Sequence, residues 1–240
     1  MGKVQLDIIF ENDELVAINK PSGMLTIPDR HDDALPSLQK TLREAYGTIF
    51  TVHRLDRDTS GIILFAKNET MHKYLSQLFE QHQVQKFYSG IVTGQPAAAS
   101  GTIDAPIAEH PVHKGSMVVH RKGKAAITDY TVMEKLGPFS LVQFQIHTGR
   151  THQIRVHAKH MGHPIACDPL YGDGKPVLLS SIKKKFRLGK NELEERPMLN
   201  RLALHASQLQ FTLPDGEVLA LEAPMHKDMR ALLQQLKKNN

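Results

Sequence analysis

The feature that most constrains the fold is an apolar run, Gly61 to Ala66, that directly follows a run of charged residues. Consecutive apolar residues of this length are typical of a strand that is buried on both faces. The charged run begins at His53 and places the carboxylate of Asp56 between the guanidinium groups of Arg54 and Arg57. A carboxylate at the mouth of a buried strand is expected to be hydrogen-bonded, ion-paired or used in chemistry.

The charged run allows two interpretations. If the chain is extended there, side chains two residues apart share a face, so Arg54 and Asp56 lie side by side. An adjacent cation favours the ionised carboxylate and keeps it available as a nucleophile or base. The alternative is a surface ion pair at a turn, which contributes little to stability. Spacing alone leaves both interpretations open.

The rest of the chain has the pattern of strands interleaved with helices. Helical spacing of apolar residues predicts helices over Ser37–Tyr46 and Asn68–Gln83, and a third that begins at an N-cap, Thr151. Shorter or alternating apolar patterns predict strands over Val4–Ala17, Lys86–Val92, Val132 and Leu141–Ile146. The segment Pro96 to Gly123, rich in Pro, Gly and His, predicts irregular connections. These elements predict an α+β fold with a mixed, mainly antiparallel sheet and helices packed on it.

Composition limits the protein classes that remain. The 240 residues are enough for one large domain or two closely packed halves, and the net charge of +5 suits a polyanionic partner. The single cysteine, Cys167, excludes an internal disulfide and fits a reducing compartment. The sequence has no apolar leader and no apolar run long enough to span a bilayer. We therefore expect a cytoplasmic protein that has no membrane partner.

Five motifs carry a resemblance to a known family. The run from His53 to Gly61, HRLDRDTSG, resembles the central motif of the RluA-type pseudouridine synthases. Four further blocks resemble other motifs of that family, in the family's order: Asn19–Pro28, Lys86–Gly94, Gly149–Gly172 and Arg201–Ala206. Within the first of these blocks we interpret Lys20, Pro21 and Gly23 as scaffold.

The resemblance implies both a fold and an activity. The fold is the pseudouridine synthase fold, a single catalytic domain over residues 1–240 in which two closely packed halves flank a central cleft in a bent sheet. The activity is that of an isomerase that converts uridine within tRNA or rRNA into pseudouridine. The reaction needs no cofactor and no metal, and the implied partner is an RNA stem-loop, with no obligatory protein partner.

The resemblance also assigns roles to individual residues. Asp56 matches the catalytic aspartate, which either attacks the anomeric carbon of the sugar or assists formation of a glycal, and the sequence leaves both routes open. Arg155 matches the residue that pairs with that aspartate, and its alternative is an arginine on a helix surface. Tyr88 matches the aromatic residue that stacks on uracil, and its alternative is ordinary core packing.

Two further positions concern the flipped base. Arg54 matches an arginine that fills the space left when the uridine leaves its stack, and a second partner for Asp56 is its alternative. Ile154 matches an apolar position that packs against the uracil or Tyr88.

The basic stretch between Gly174 and Pro197 does not align with the family core. We interpret its cations as contacts to the RNA backbone: Lys183, Lys184, Lys185, Arg187 and Lys190. A solvated loop is the alternative.

The first family block begins almost at Met1, whereas several members that act on large ribosomal RNA carry a small RNA-binding domain before it. We therefore expect a compact member without that domain, acting on a tRNA stem-loop or on both tRNA and rRNA.

Other functions remain as alternatives. The runner-up is a catalytically silent RNA-binding protein of the same fold, which would have no chemical need for Asp56, Tyr88 and Arg155 together. A metal-dependent hydrolase would use the histidines that recur every three residues, His157, His160 and His163. Cys167 is predicted to be a buried small residue rather than a nucleophile.

Overall fold

The structure is a computed structural model that describes residues 6–29, 32, 34–188 and 194–240. The chain divides into two compact units. The first unit consists of Met1–Tyr88 and His205–Pro224, and the second of Ser89–Leu204 and Met225–Asn240. The predicted cleft between two halves of a single domain stays a prediction.

The described residues form strands and helices in an α+β arrangement. The strands are β1 Ile8–Glu11, β2 Leu15–Lys20, β3 Phe50–Thr51, β4 Ser60–Ala66, β5 Gln85–Thr93, β6 Ser100–Asp104, β7 Ile107–Glu109, β8 Met117–Val119, β9 Ile127–Leu136, β10 Phe139–Ile146, β11 Leu204–Thr212 and β12 Val218–Glu222. The helices are α1 Leu38–Tyr46, α2 Glu69–Glu80, α3 Gln153–His160 and α4 Lys227–Asn239. The predicted α+β class with a mainly antiparallel sheet is confirmed.

The sheet of the first unit is built around β4. Its strands follow the order β1-β2-β4-β11-β5, with β3 beside β4 and β12 beside β11. All of Ser60–Ala66 is buried, as the apolar run predicts for a strand covered on both faces. β4 runs parallel to β11, with Gly61 opposite Ala206. A Cβ atom at Gly61 would lie 2.1 Å from the carbonyl oxygen of Ala206, so only glycine allows this close approach.

The two helices of the first unit begin at side-chain caps. Ser37 accepts a hydrogen bond from the backbone N–H of Lys40 at 3.4 Å, and Asn68 accepts one from Met71 at 2.8 Å. These bonds satisfy backbone donors that the first turn leaves unpaired. The buried face of α2 is Met71, Leu75 and Leu78. The helices predicted over Ser37–Tyr46 and Asn68–Gln83 are confirmed, and α2 ends at Glu80, three residues earlier than predicted.

The second unit carries the strand order β5-β10-β9-β6. In β10 the residues Val142, Phe144 and Ile146 are buried and alternate with half-buried residues, as predicted. The prediction of irregular structure over Pro96–Gly123 is wrong in part, because β6 pairs with β9 and the short strands β7 and β8 form a hairpin. Packing stabilises this hairpin: Met117 and Val119 lie against the buried cluster of Ile107, Ala126, Val156 and Tyr171.

Helix α3 begins one residue later than the sequence predicts. Its N-cap is His152, in a left-handed conformation at φ 56° and with no side-chain cap, so the N-cap prediction for Thr151 is wrong. The physical reason is Gln153, whose side-chain oxygen accepts from the Arg150 N–H at 3.0 Å and from the Thr148 hydroxyl at 2.7 Å. These two bonds hold the turn that precedes the helix. Within the part of the chain that the structure describes, no helix combines the length and the apolar character that crossing a bilayer requires.

Candidate active site

The loop that carries Asp56 connects β3 to β4 and is fixed to a second loop, residues 21–28. The Thr26 hydroxyl donates to the Leu55 carbonyl at 3.0 Å and accepts from the Leu55 N–H at 3.2 Å. The Ser22 hydroxyl donates to the Asp58 carbonyl at 2.7 Å. Hydrogen bonds on both sides of Asp56 therefore fix the backbone from which its half-buried side chain projects.

Lys20 joins the same two loops from within the core. The residue is fully buried, and its ammonium donates to the carbonyl oxygens of Pro21 at 3.1 Å, Met24 at 2.8 Å and Arg57 at 2.9 Å. These three bonds match the three donors of an ammonium group. The scaffold interpretation of Lys20 is confirmed. What the sequence did not indicate is that Lys20 holds the residue next to Asp56.

The arginines on either side of Asp56 are both exposed. Arg57 donates to the Gly23 carbonyl at 3.4 Å. Both roles considered for Arg54, filling the gap left by a flipped base and partnering Asp56, stay predictions. The guanidinium of Arg54 is accessible to a ligand.

Tyr88 lies close enough to Asp56 for the charge of the carboxylate to act on it. The residue is 9% exposed. Burial first, and the negative charge of Asp56 second, raise the pKa of the Tyr88 hydroxyl well above its usual range. A phenol in this state is a hydrogen-bond donor at neutral pH. The structure thus brings two of the three predicted catalytic residues together within the first unit.

Two basic residues near this site were not predicted. The His53 ring stacks on Phe79 with centroids 4.5 Å apart, and its Nε2 accepts from the Leu64 N–H at 3.0 Å. Burial, and then the positive charge of Lys86, lower the pKa of His53 to about 3, so the ring is neutral. Burial also lowers the pKa of Lys86. The only sequence signal was position: His53 opens the Asp56 motif, and Lys86 lies two residues before Tyr88.

Arg155, in the second unit, forms a buried bidentate ion pair. Its Nε donates to Oδ2 of Asp168 and its Nη2 to Oδ1, both at 2.8 Å. Asp168 is fully buried and Arg155 is 3% exposed, which excludes the alternative of a surface arginine. Asp168 Oδ1 also accepts the backbone N–H groups of Leu170 and Tyr171. The predicted pairing of Arg155 with Asp56 stays a prediction, and no sequence pattern indicated the pairing with Asp168.

The remaining predicted RNA-binding residues also lie in the second unit. Ile154 is 4% exposed and precedes Arg155 on α3. Four cations of the basic stretch are exposed: Lys183, Lys184, Lys185 and Arg187. They follow a short 3₁₀ turn, Leu179–Ser181. Lys190 lies outside the described residues.

The histidines and the cysteine considered as alternative sites have other contacts. His157 is buried between the Thr128 hydroxyl and the Ala105 carbonyl, whereas His163 lies beyond the end of α3 and bonds the Thr93 carbonyl. Among residues 6–29, 32, 34–188 and 194–240, no group of His, Cys, Asp or Glu side chains is arranged to bind a metal ion. Cys167 is buried, which raises the pKa of its thiol and disfavours a nucleophilic thiolate.

Comparison with known proteins agrees with this arrangement. The family model described as RNA pseudouridylate synthase matches residues 14–160. An uncharacterized RNA pseudouridine synthase of Bacillus subtilis (strain 168) is 36% identical over 98% of this chain and 74% of its own length. Ribosomal large subunit pseudouridine synthase D of Nitrosomonas europaea is 37% identical, over 98% of this chain and 66% of its own length. The protein of that name from Escherichia coli O6:H1 is 32% identical, over 96% and 70%.

A solved structure supports the fold. Human RNA pseudouridylate synthase domain containing 4 superimposes with a TM-score of 0.73, at 29% identity, over 96% of this chain and 92% of its own. These similarities define an isomerase that modifies RNA. The chain belongs to the RNA pseudouridylate synthase family, and within it to the RluA type.

Proposed function

We propose that this protein isomerises specific uridines in rRNA or tRNA and that Asp56 performs the chemistry. The observation that carries the proposal is the arrangement of the first unit, where hydrogen-bonded loops fix the backbone around Asp56 and the charge of Asp56 acts on the buried hydroxyl of Tyr88. Membership of the family supplies the reaction and the RNA substrate. Asp56 then supplies the one group the chemistry needs.

The reaction is a balanced rearrangement that needs no cofactor. The bond from C1′ of the ribose to N1 of uracil breaks, the base turns, and C1′ bonds to C5 instead. The proton on C5 is lost, and N1 gains one. Asp56 either attacks C1′ directly or removes a ribose proton to give a glycal, and both routes are consistent with a single ionised carboxylate.

The other predicted residues have supporting roles. The uridine must leave its stack, which costs a few kcal/mol, and the exposed guanidinium of Arg54 is suited to fill the gap by stacking. Tyr88 contacts the flipped uracil and donates a hydrogen bond to it. The motif resemblance predicts that Arg155 pairs with Asp56 and that Ile154 packs against the base. These roles for Tyr88, Arg155 and Ile154 rest on the motif resemblance.

The substrate most favoured by the comparisons is rRNA. Relatives from five bacteria are named ribosomal large subunit pseudouridine synthase D. We therefore propose large-subunit rRNA as the first RNA to test and a tRNA stem-loop as the second.

The test of this proposal is a pseudouridine map of total RNA from cells with and without the gene. A site that loses its pseudouridine in the deletion, and regains it when purified protein is added to the corresponding transcript, identifies the substrate. A deletion map identical to the wild type, with no conversion of rRNA or tRNA transcripts by the purified protein, would contradict the proposal.

The basic stretch supplies part of the RNA affinity in this proposal. Four of its cations, Lys183, Lys184, Lys185 and Arg187, are exposed, and the ion pairs within the described ranges involve none of these four. Phosphate contacts bind without reading sequence. We expect that changing all four to Ser weakens every RNA alike and flattens the log–log salt dependence by roughly 0.7 to 0.9 for each phosphate that is no longer neutralised.

The catalytic step should not depend on these cations, because none of them matches a catalytic position. Dissociation constants from low to moderate salt, with single-turnover rates at saturating enzyme, measure both effects. An unchanged slope of the salt dependence would show that the stretch is a solvated loop without phosphate contacts. A collapsed rate with intact affinity would make it a lid over the site instead.

A further inference from the structure

The second unit contains a cavity of about 590 Å³ that has no part in the proposed chemistry. It lies between the tip of the β7–β8 hairpin, the last turn of α3 and the segment Pro169–Tyr171. Its volume falls within the roughly 300 to 1,000 Å³ typical of small-molecule sites. The cavity therefore has room for a ligand the size of a single nucleotide.

The floor of the cavity is apolar and rigidly held. Met117, Val119 and Val156 line it together with Tyr171, and the first three pack around the buried tyrosine ring. The Tyr171 hydroxyl accepts from the Met117 N–H at 2.8 Å and bonds Nδ1 of His152 at 2.8 Å. These bonds fix the hairpin to the rest of the second unit. Leu170 extends the apolar surface to the rim, where it is 48% exposed.

The rim of the cavity is basic. Lys114, Lys159 and His160 are exposed and line it, together with His110 and His113. Nδ1 of His110 accepts the backbone N–H groups of Val112 and His113, at 3.2 and 3.0 Å. The ring proton of neutral His110 is therefore on Nε2, which leaves an N–H donor for a ligand. Among the residues whose structure is described, no aspartate or glutamate lines the cavity.

An apolar floor beneath a rim of cations and N–H donors matches the chemistry of a nucleotide. A base offers a flat apolar face, and its phosphate offers the negative charge that the rim lacks. We propose that this cavity holds one unpaired nucleotide of the RNA substrate, distinct from the uridine that reacts. Its base lies on Met117, Val119 and Leu170, and its phosphate contacts Lys159 and Lys114.

This inference rests on the proposed function in one respect, since the nucleotide is supplied by the RNA that the enzyme modifies. The site would give the enzyme a second point of recognition. RNAs that present an unpaired nucleotide to the cavity would bind more tightly than fully paired ones, because only a splayed base can reach the apolar floor.

Two substitutions separate the base from the phosphate. Leu170→Ser removes apolar rim without changing charge, so it should weaken binding of a stem-loop transcript about fivefold or more and leave the salt slope unchanged. Lys159→Ser removes one cation and should also reduce the slope by about 0.7 to 0.9. Matched controls are Val218→Ser, at an apolar residue that is 56% exposed, and Lys135→Ser, at an exposed lysine on β9.

Ligand identity is tested on the full-length, ¹⁵N-labelled protein with three probes: adenosine 5′-monophosphate, adenosine and inorganic phosphate. The monophosphate should shift the amide signals of Met117, Val119 and Tyr171 more than either part does alone. Equal shifts with phosphate alone would reduce the cavity to an anion site and overturn the proposal. If polyglutamate competes with the monophosphate as effectively as RNA does, the cavity binds an acidic peptide instead. That result would also overturn the proposal.

Failure of this inference is distinguishable from failure of the proposed function. Binding is measured in an Asp56→Asn background, so it does not depend on turnover. If Leu170→Ser and Lys159→Ser bind RNA as their controls do while the wild type makes pseudouridine, the cavity proposal is wrong and the function stands. If the variants weaken RNA binding as expected while the wild type makes no pseudouridine, the cavity proposal stands and the function is wrong.

Discussion

The buried ion pair of Arg155 and Asp168 should be among the most sensitive points of the fold. Both side chains are nearly inaccessible, and two parallel N–H···O bonds of 2.8 Å join them. Replacing Arg155 with Met leaves a buried carboxylate with only backbone donors, those of Leu170 and Tyr171. Breaking one side of such a pair typically costs about 3 to 5 kcal/mol. We expect a decrease of that size in the free energy of unfolding.

The assay is a double-mutant cycle followed by urea unfolding. The cycle comprises Arg155→Met, Asp168→Leu and the double variant. Because each single change breaks the same bidentate pair, the double variant should lose less stability than the sum of the two single variants. The control is Glu11→Gln, which breaks the more exposed pair of Glu11 with Lys67 at 2.6 Å and should cost at most about 1 kcal/mol.

Activity separates two roles of Arg155. If this arginine also pairs with Asp56, then Arg155→Met should abolish pseudouridine formation under conditions where the variant is fully folded. Arg155→Lys keeps the positive charge but not the bidentate geometry, so it should recover part of the activity. The reasoning is refuted if Arg155→Met costs less than about 1 kcal/mol and the cycle shows no coupling between Arg155 and Asp168.

Two further predictions concern basic residues of the first unit. Lys20→Met leaves three carbonyl oxygens without their ammonium donor and should lower the free energy of unfolding by about 3 kcal/mol or more. The control Lys40→Met, on the exposed face of α1, should change the free energy of unfolding little. Equal stabilities of the two variants in urea would contradict this prediction. The low pKa of His53, about 3 against 6.5 in the unfolded chain, means that the unfolded state binds the extra proton between those values. The stabilisation associated with neutral His53 is therefore complete above pH 6.5 and is lost as the pH falls toward 3, with a slope of at most about 1.4 kcal/mol per pH unit. His53→Gln should flatten the measured pH dependence of unfolding in that window, and an identical slope in wild type and variant would contradict the assignment.

Local patterns predicted much of the fold. The helices α1 and α2 were predicted correctly because their caps, Ser37 and Asn68, and their apolar spacing lie within the segments themselves. The buried strand β4 was evident from its uninterrupted apolar run. The strands β6, β7 and β8 were missed because they are short and form through pairing with β9 or packing on α3, which no local pattern encodes.

Only those site residues that lie within the family motifs could be predicted from the sequence. The resemblance located Asp56 and Tyr88, and the structure brings them within range of each other. It did not indicate that Lys20 fixes the Asp56 loop, since that bond joins residues 37 positions apart. The Thr151 cap was predicted wrongly. The Gln153 side chain bonds Thr148 and Arg150 in the preceding turn, and the N-cap is His152. The pairing of Arg155 with Asp168 depends on how the chain turns after α3, and no spacing rule predicts it.

The most direct test of the account is turnover by the Asp56→Asn variant. Asparagine keeps the size of the side chain but is neither a nucleophile nor a base at this position. Release of tritium from 5-labelled uridine in a transcript measures the reaction, and RNA affinity is measured in parallel. We predict that conversion to pseudouridine is abolished while the dissociation constant for RNA stays within a few fold, because phosphate contacts supply most of the binding. Turnover by Asp56→Asn near the wild-type rate would contradict both the catalytic role of Asp56 and the mechanism built on it.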